Sequence, residues 1–400
     1  MNIREEFPML KNNSIIYFDN GATTFKPKIV IDSICEYYEN YSANAHRGDY
    51  NISLKTDMMY ENARKKVKDF INASRPEEIV FTSGTTESLN MIIKGYFKKQ
   101  LKRGDEVLLT KSEHASNIIP WFDLCKEIGC VVKYIDLDDD YKVTMENVIK
   151  AITPNTKVIS LAHITNVVGD IRPIKEICEY AHSNGIMVVV DGAQSVPHIS
   201  VDVTDLDVDF LTFSGHKMCG PTGIGVLYGK YDLLTLMEPY NSGGGMNASF
   251  LSTGEVEYKS LPHKLEAGTP NIAGAIGLGA ACDYLKILDL DKIHDYETKL
   301  REYLILRLKT LDNIEIYNEN SESGIVAFNI KNVFSQDTAI YLNDYNICVR
   351  AGNHCAKILK DEINIKNTCR ISLYFYNTKE EIDKLISVLK NSDTLFNQIL

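Results

Sequence analysis

The sequence predicts an α/β fold, with a large domain on a mostly parallel, seven-stranded sheet and a small α+β C-terminal domain. Three observations predict it. Short β-rich runs alternate with helically spaced segments through the first two-thirds of the chain. The run IMVVVDG (186–192) is apolar on both faces, as a strand covered by helices on each side requires. Beyond residue 240 the texture changes to Gly, Ser and Pro, then to helical spacing and short separate strands.

The seven strands are expected at 77–83, 106–110, 131–136, 157–164, 186–192, 210–215 and 223–229. Helical spacing lies between several of them, for example over 89–99 and 174–184. Residues 241–271 read as loop and hairpin, and 273–311 as one long helical stretch. GIVAFNI, NICVRAG and TCRISLYF supply the strands of the small domain, closed by a helix from Lys379 on. The large domain is expected to span 18–272, and the small one 1–17 with 273–400. There is no tandem repeat and no low-complexity linker.

The 400 residues suffice for two domains, and 44% hydrophobic with 24% charged residues is a globular composition. A formal charge of −11 argues against nucleic acid as the main partner. No apolar run is long enough to span a bilayer, and the start MNIREEFPML is charged too early for a secretory signal. Nine cysteines without C-x-x-C spacing predict free thiols in a reducing cytoplasm, most of them small buried hydrophobes, rather than a disulfide framework. No metal site is predicted.

Ligands of open α/β sheets sit beyond the carboxyl ends of the strands. After the first strand comes Ser83-Gly84-Thr85-Thr86-Glu87, an anion site if it opens a helix and a plain cap if taken alone. Glu113-His114 follow the second strand, Asn166 and Gly169 the fourth, Asp191 and Gln194 the fifth, and Ser214, His216 and Lys217 the sixth. Neither G-x-G-x-x-G nor G-x-x-x-x-G-K-[ST] is present, so nicotinamide and P-loop chemistry lack support. An anion site, an imidazole, a carboxylate and a lysine at one edge suit pyridoxal 5′-phosphate. Its aldehyde needs an amine and its ring nitrogen an acid. A buried Asp191 would otherwise be a lone charge.

The motifs YFDNGATT (17–24), SANAHRGDY (42–50), FTSGTTESLN (81–90), SEHASNIIPW (112–121), HITNVVG (163–169), VDGAQSVPH (190–198), SGHKMCGPTG (214–223), EAGTPN (266–271), VRAGNHCA (349–356) and CRISLYFYNT (369–378) run in order through nearly the whole chain. Together they resemble the class V aminotransferase family of fold-type I pyridoxal-phosphate enzymes, and within it the group II, Suf-type (SufS-like) cysteine desulfurases. The resemblance implies that Lys217 forms the Schiff base and that His114 stacks on the ring. It places Asp191 on the ring nitrogen and Gln194 on the phenolic oxygen. Thr85, Thr86, Ser214 and His216 would hold the phosphate, and Thr269 that of a neighbouring subunit, which implies a homodimer. Arg370 would take the substrate carboxylate, with Asn166 and Arg350 nearby. Cys355 would attack the sulfur of L-cysteine, leaving L-alanine and a persulfide for iron–sulfur cluster assembly.

His46 and Arg47 fall in a family motif near the site. Asn353 and Lys357-Ile358-Leu359 depart from the family pattern in the loop that would meet a SufE-like or SufU-like acceptor. Selenocysteine lyase, another pyridoxal-phosphate lyase or aminotransferase, and a non-catalytic sulfur carrier are the competing readings.

Overall fold

The computed structural model describes residues 3–45 and 48–392. His46 and Arg47 lie outside the described residues. All seven expected strands join one sheet, in the order Ile79–Thr82, Gly225–Gly229, Phe210–Ser214, Met187–Asp191, Thr156–Ala162, Glu106–Thr110, Val131–Ile135. Strand Gly225–Gly229 runs antiparallel to both neighbours, and the pairs from Phe210–Ser214 outward to Val131–Ile135 are parallel. The carboxyl ends of the strands leading to Thr85, His114, Asn166, Asp191 and Lys217 therefore share one edge. The central strands are buried along most of their length, because helices cover both faces.

The expected helix over 89–99 begins earlier, at Thr85, and continues through a π-helical stretch, Ile92–Phe97. There Gly95 lets the Glu238 carbonyl approach, since a Cβ would lie 2.6 Å from that oxygen. The long helical stretch is two helices, Ile272–Leu288 and Leu290–Leu308. Asp289 separates them at φ 73°, and its side chain accepts from the Asp291 N–H to start the second. The first of these helices packs on Lys28–Asn40 and Asn51–Phe70, within the core of the large sheet. The hairpin Asn247–Phe250 with Val256–Tyr258 falls where loop and hairpin were expected.

A second, antiparallel sheet orders Ile314–Ile316, Ile325–Ile330, Thr368–Ser372 and Arg350–Gly352. Its last two strands pair Arg350 directly with Arg370. The N-terminal segment runs alongside: Ile16–Tyr17 pairs with Ile347–Cys348, and the Ser372 N–H donates to the Phe18 carbonyl (2.7 Å).

The expectation of free thiols fails at one place: Cys125 and Cys130 form a disulfide. Gly129, left-handed at φ 82°, ends the helix Ile119–Ile128 and turns the chain back, which brings the two Cα atoms to 4.4 Å. A spacing of five residues carries no such signal until the turn is known. Among the described residues no helix is long and apolar enough to cross a membrane.

One buried ion pair ties the EAGTPN loop to the sheet. Arg64 donates to both oxygens of Glu266 (2.7 and 2.9 Å), and Glu266 also accepts from the Phe81 N–H (2.7 Å). Glu266→Gln leaves the buried guanidinium with Glu61 (2.9 Å) as its remaining acid, and we expect about 1.5–3 kcal/mol of stability to be lost, read as a lower urea midpoint.

Candidate active site

The shared strand edge and the Arg350–Arg370 pair enclose a cavity of about 240 Å³. Eleven of the thirteen predicted site residues line it: Thr85, Thr86, His114, Asn166, Asp191, Gln194, Ser214, His216, Lys217, Arg350 and Arg370. Cys355 and Thr269 do not. Cys355 is exposed beside it, next to His354, which does line it. Thr269 lies on another face, where its hydroxyl meets the Asn44 amide at 3.5 Å.

Strand Phe210–Ser214 leads through the short turn Gly215–Lys217 to the lysine. The carbonyl before it, on His216, accepts from Thr24 N (2.9 Å), Thr23 Oγ1 (3.1 Å), Thr24 Oγ1 (3.2 Å) and Lys26 Nζ (3.4 Å). That peptide is therefore fixed from the N-terminal segment, while Lys217 Nζ has no hydrogen-bond partner among the described residues. Burial lowers the Lys217 pKa to about 8, with Asp191 opposing the shift and Arg370 and Arg350 adding to it. An amine in that range is partly unprotonated near neutrality.

Asp191 is 5% exposed, and its Oδ1 accepts from the Ala193 N–H (2.9 Å). Burial raises its pKa to about 6. Gln194 donates Nε2 to the Gly21 carbonyl (2.8 Å), which leaves Oε1 buried without a protein partner. His114 accepts the Ser116 N–H on Nδ1 (3.2 Å), so the neutral ring carries its proton on Nε2. Burial, then Lys217, Arg350 and Arg370, lower its pKa to about 4. Burial and the same lysine bring His216 to about 4 as well.

Hydroxyls cluster at the other end. Ser214 Oγ accepts from the Thr85 N–H (2.9 Å) and meets Thr85 Oγ1 (2.8 Å), and Thr86 Oγ1 meets Ser116 Oγ (2.7 Å). Strand Gly225–Gly229 passes directly under this loop, and a Cβ on Gly225 would lie 2.4 Å from Gly84 Cα.

Arg370 is fully buried. It donates to the Asn166 carbonyl and to Asp19 Oδ1 (both 2.9 Å), and its Nε has no partner in the protein. Burial lowers its pKa, with Asp19 opposing. Asp19 and Ser116 were given no role by the sequence, and His354 only a place beside Cys355. All three stood inside quoted motifs, but only the folded contacts show what they hold.

Against known proteins, the model of the family described as aminotransferase class-V matches residues 16–385. The chain belongs to the class-V aminotransferase family. A "probable cysteine desulfurase" of Halalkalibacterium halodurans is 44% identical over 99% of this chain and 98% of the relative. A "cysteine desulfurase" of Haloferax volcanii is 40% identical over 98% and 97% of the two chains. Among solved structures, the apo cysteine desulfurase of Thermococcus onnurineus superposes with a TM-score of 0.93 at 38% identity, covering 97% of this chain and 96% of that one. The cysteine desulfurase CsdA of Escherichia coli, solved as its S-sulfonic acid, gives 0.92 at 36% identity over 98% of each chain. The fold is that of the fold-type I pyridoxal-phosphate transferases.

Pyridoxal 5′-phosphate fits the class-V site on the protein's own chemistry. A partner-free amine suits its aldehyde, a buried carboxylate suits its ring nitrogen, and hydroxyls with backbone N–H groups suit its phosphate. The unpartnered Gln194 Oε1 and Arg370 Nε are polar atoms that the protein alone leaves unsatisfied. Pyridoxal 5′-phosphate is the cofactor of this chain.

Lys217 reacts only as the free amine. Cofactor-free protein mixed with pyridoxal phosphate should therefore colour faster as pH rises through about 8, and not at all at this site in Lys217→Ala. Stopped-flow absorbance checks this, and a rate flat across that range would contradict the lowered pKa.

Proposed function

We propose that the chain is a cysteine desulfurase that takes L-cysteine to L-alanine and carries the released sulfur as a persulfide on Cys355, for iron–sulfur cluster assembly. The observation that carries this reading is the seat of the cysteine loop. The Ala115 N–H donates to the Cys355 carbonyl (2.8 Å), and Asn166 Nδ2 donates to the His354 carbonyl (2.7 Å). The loop is thereby fastened to the neighbour of His114 and to the residue that accepts from Arg370. Cys355 is near enough to contribute to the electrostatics of Lys217.

The bound cofactor supplies a sink for the electrons of bonds broken next to the substrate amine. The rest falls to the chain. Arg370 holds the substrate carboxylate through donors that Asp19 and Asn166 leave free, and Arg350 adds a second cation across the strand pair. Lys217, a weak base for a lysine, takes the proton from the substrate α-carbon. The Cys355 thiolate attacks the substrate sulfur. An S–S bond forms as the carbon–sulfur bond breaks, and the electron pair stays on the carbon skeleton, which leaves as alanine after taking up a proton at the β-carbon and regaining one at the α-carbon. His114, neutral with its proton on Nε2, can exchange that proton with the leaving sulfur.

Within the family we place the chain with the group II, Suf-type enzymes. The short span 353–367 between the strands Arg350–Gly352 and Thr368–Ser372 supports this, since a short loop keeps the sulfur close. A short reach calls for an acceptor protein that comes to Cys355, of SufE-like or SufU-like kind. Asn353, one of the departures in this loop, accepts the Cys355 N–H on its Oδ1 (3.1 Å), so it serves the turn. Thr269, away from the cavity of its own subunit, suits a homodimer in which it serves the partner's phosphate site. A cytoplasmic location fits this chemistry.

Cys355→Ser should keep the cofactor colour, lose sulfur-35 labelling from labelled cysteine, and make alanine about a hundredfold more slowly. Full alanine formation by this variant would refute the persulfide route. Arg370→Lys, which loses the planar fork, should raise KM for L-cysteine about tenfold in steady-state assays.

A further inference from the structure

We infer that Lys360 is a positioning residue for Cys355: its buried ammonium holds the Thr368 hydroxyl, Thr368 fixes the His354 ring, and the ring sets where the adjoining cysteine stands. This rests on the reading of Cys355 as the nucleophile. Lys360 lies one turn beyond that cysteine, in the helix Lys357–Glu362, yet it is only 2% exposed. The charged residues at the two ends of this helix find opposite charges: Lys357 pairs with Asp361, and Glu362 with Lys111. Lys360 finds none among the described residues. Its amine donates to Thr368 Oγ1, at 2.8 Å.

A cation buried without a counter-charge is unfavourable, and the residue before it in the helix, Leu359, is buried in an apolar cluster with Ala356 and Val167. Burial first, and Arg370 second, lower its pKa to about 8. An apolar side chain would serve stability better at this position. The amine is instead aimed at a residue that touches the cysteine loop. Thr368 presents its carbonyl and its hydroxyl to His354 Nε2, each at 3.0 Å. A carbonyl only accepts, so Nε2 bears the proton, and the hydroxyl is left to accept from Lys360.

What this network holds is strained. His354 and Cys355 are consecutive left-handed residues, at φ 53° and 59°, and neither is glycine. Such a pair persists only where its surroundings over-determine it. Three bonds do so from the backbone side: Asn166 on the His354 carbonyl, Ala115 on the Cys355 carbonyl, and Asn353 on the Cys355 N–H. The His354 ring is the fourth anchor, and it reaches Lys360 through Thr368. Thr368 also pairs with Gly352 across the strands and stands two residues before Arg370. One hydroxyl thus joins the sulfur-bearing loop to the strand that bears the carboxylate-binding arginine.

The test uses the full-length enzyme loaded with cofactor. Lys360→Met keeps the volume and removes the charge. The cofactor absorbance and KM for L-cysteine should stay as they are, and kcat should fall about tenfold, because a displaced nucleophile acts on the chemical step alone. Alkylation by iodoacetamide, followed by mass spectrometry at the Cys355 peptide, should slow about fivefold, while the urea midpoint does not drop. Thr368→Val should give the same kcat defect, and the double variant Lys360→Met/Thr368→Val no larger one, as expected of two residues in one chain of contacts. Thr368→Ser, which keeps the hydroxyl, should retain more activity than Thr368→Val.

A Lys360→Met enzyme with the wild-type kcat and alkylation rate overturns the inference. So does one whose cofactor binding and KM fail together with kcat. If the wild-type enzyme makes no alanine from L-cysteine, the desulfurase reading falls, and the alkylation rates still decide whether Lys360 places Cys355.

Discussion

The concentration of positive charge around one small cavity is the constraint on which the rest of the structure depends. Lys217, Arg350 and Arg370 converge there, and among the described residues Asp191 and Asp19 are the carboxylates close against them. Arg350 and Arg370 even face each other across a strand pair, an arrangement that like charges oppose. The protein alone does not neutralise this site. Under the proposed function, a phosphorylated cofactor and a substrate carboxylate supply the missing negative charge. Burial together with these cations lowers the pKa of Lys217, His114, His216 and His354. The imidazoles stay neutral, and the amine becomes usable as a base. One electrostatic choice therefore prepares binding and proton transfer together.

Such a site needs rigid support, and the support is polar and buried. Beneath His114, the carboxylate of Glu113 is fully enclosed. It pairs with Arg172 and accepts from Ala162 N (2.7 Å), Asn117 Nδ2 (2.9 Å) and Thr110 Oγ1 (2.7 Å). Arg172 in turn donates to Thr110 and Ser112 (2.8 and 2.7 Å). Every strong group in this cluster has a partner, which is the condition under which a buried network stiffens a structure. Thr23, Thr24 and Lys26 do the equivalent for the peptide before Lys217. Asp19, from the same N-terminal segment, does so for Arg370. This N-terminal segment thus braces both the peptide before Lys217 and the Arg370 guanidinium, although its own strand, Ile16–Tyr17, pairs with Ile347–Cys348 apart from the four-stranded sheet.

The small sheet brings what the large one lacks. Its strands carry Arg350 and Arg370, and the connection between them carries Cys355. The loop is held by backbone bonds into the large sheet's edge residues, at Ala115 and Asn166. Chemistry at the cofactor and sulfur capture at the cysteine consequently share a frame. Under the proposed function a persulfide at Cys355 would stand on an exposed residue, open to an acceptor.

The sequence by itself determined the alternation of strands and helices, the seven strands, and most residues of the cavity. Those features are local: β-rich runs, turn residues, and ordered motifs that follow strand ends. It did not disclose the Cys125–Cys130 bond, which needs the left-handed Gly129, or the break at Asp289 inside an otherwise helical pattern. Nor did it disclose that Asp19 holds Arg370, that four donors meet on the His216 carbonyl, or that Lys360 is buried against Thr368. These contacts join residues eight to 351 positions apart. Spacing in the chain is silent about them because a hydrogen bond depends on where the packed sheets bring two atoms, and only the tertiary structure decides that.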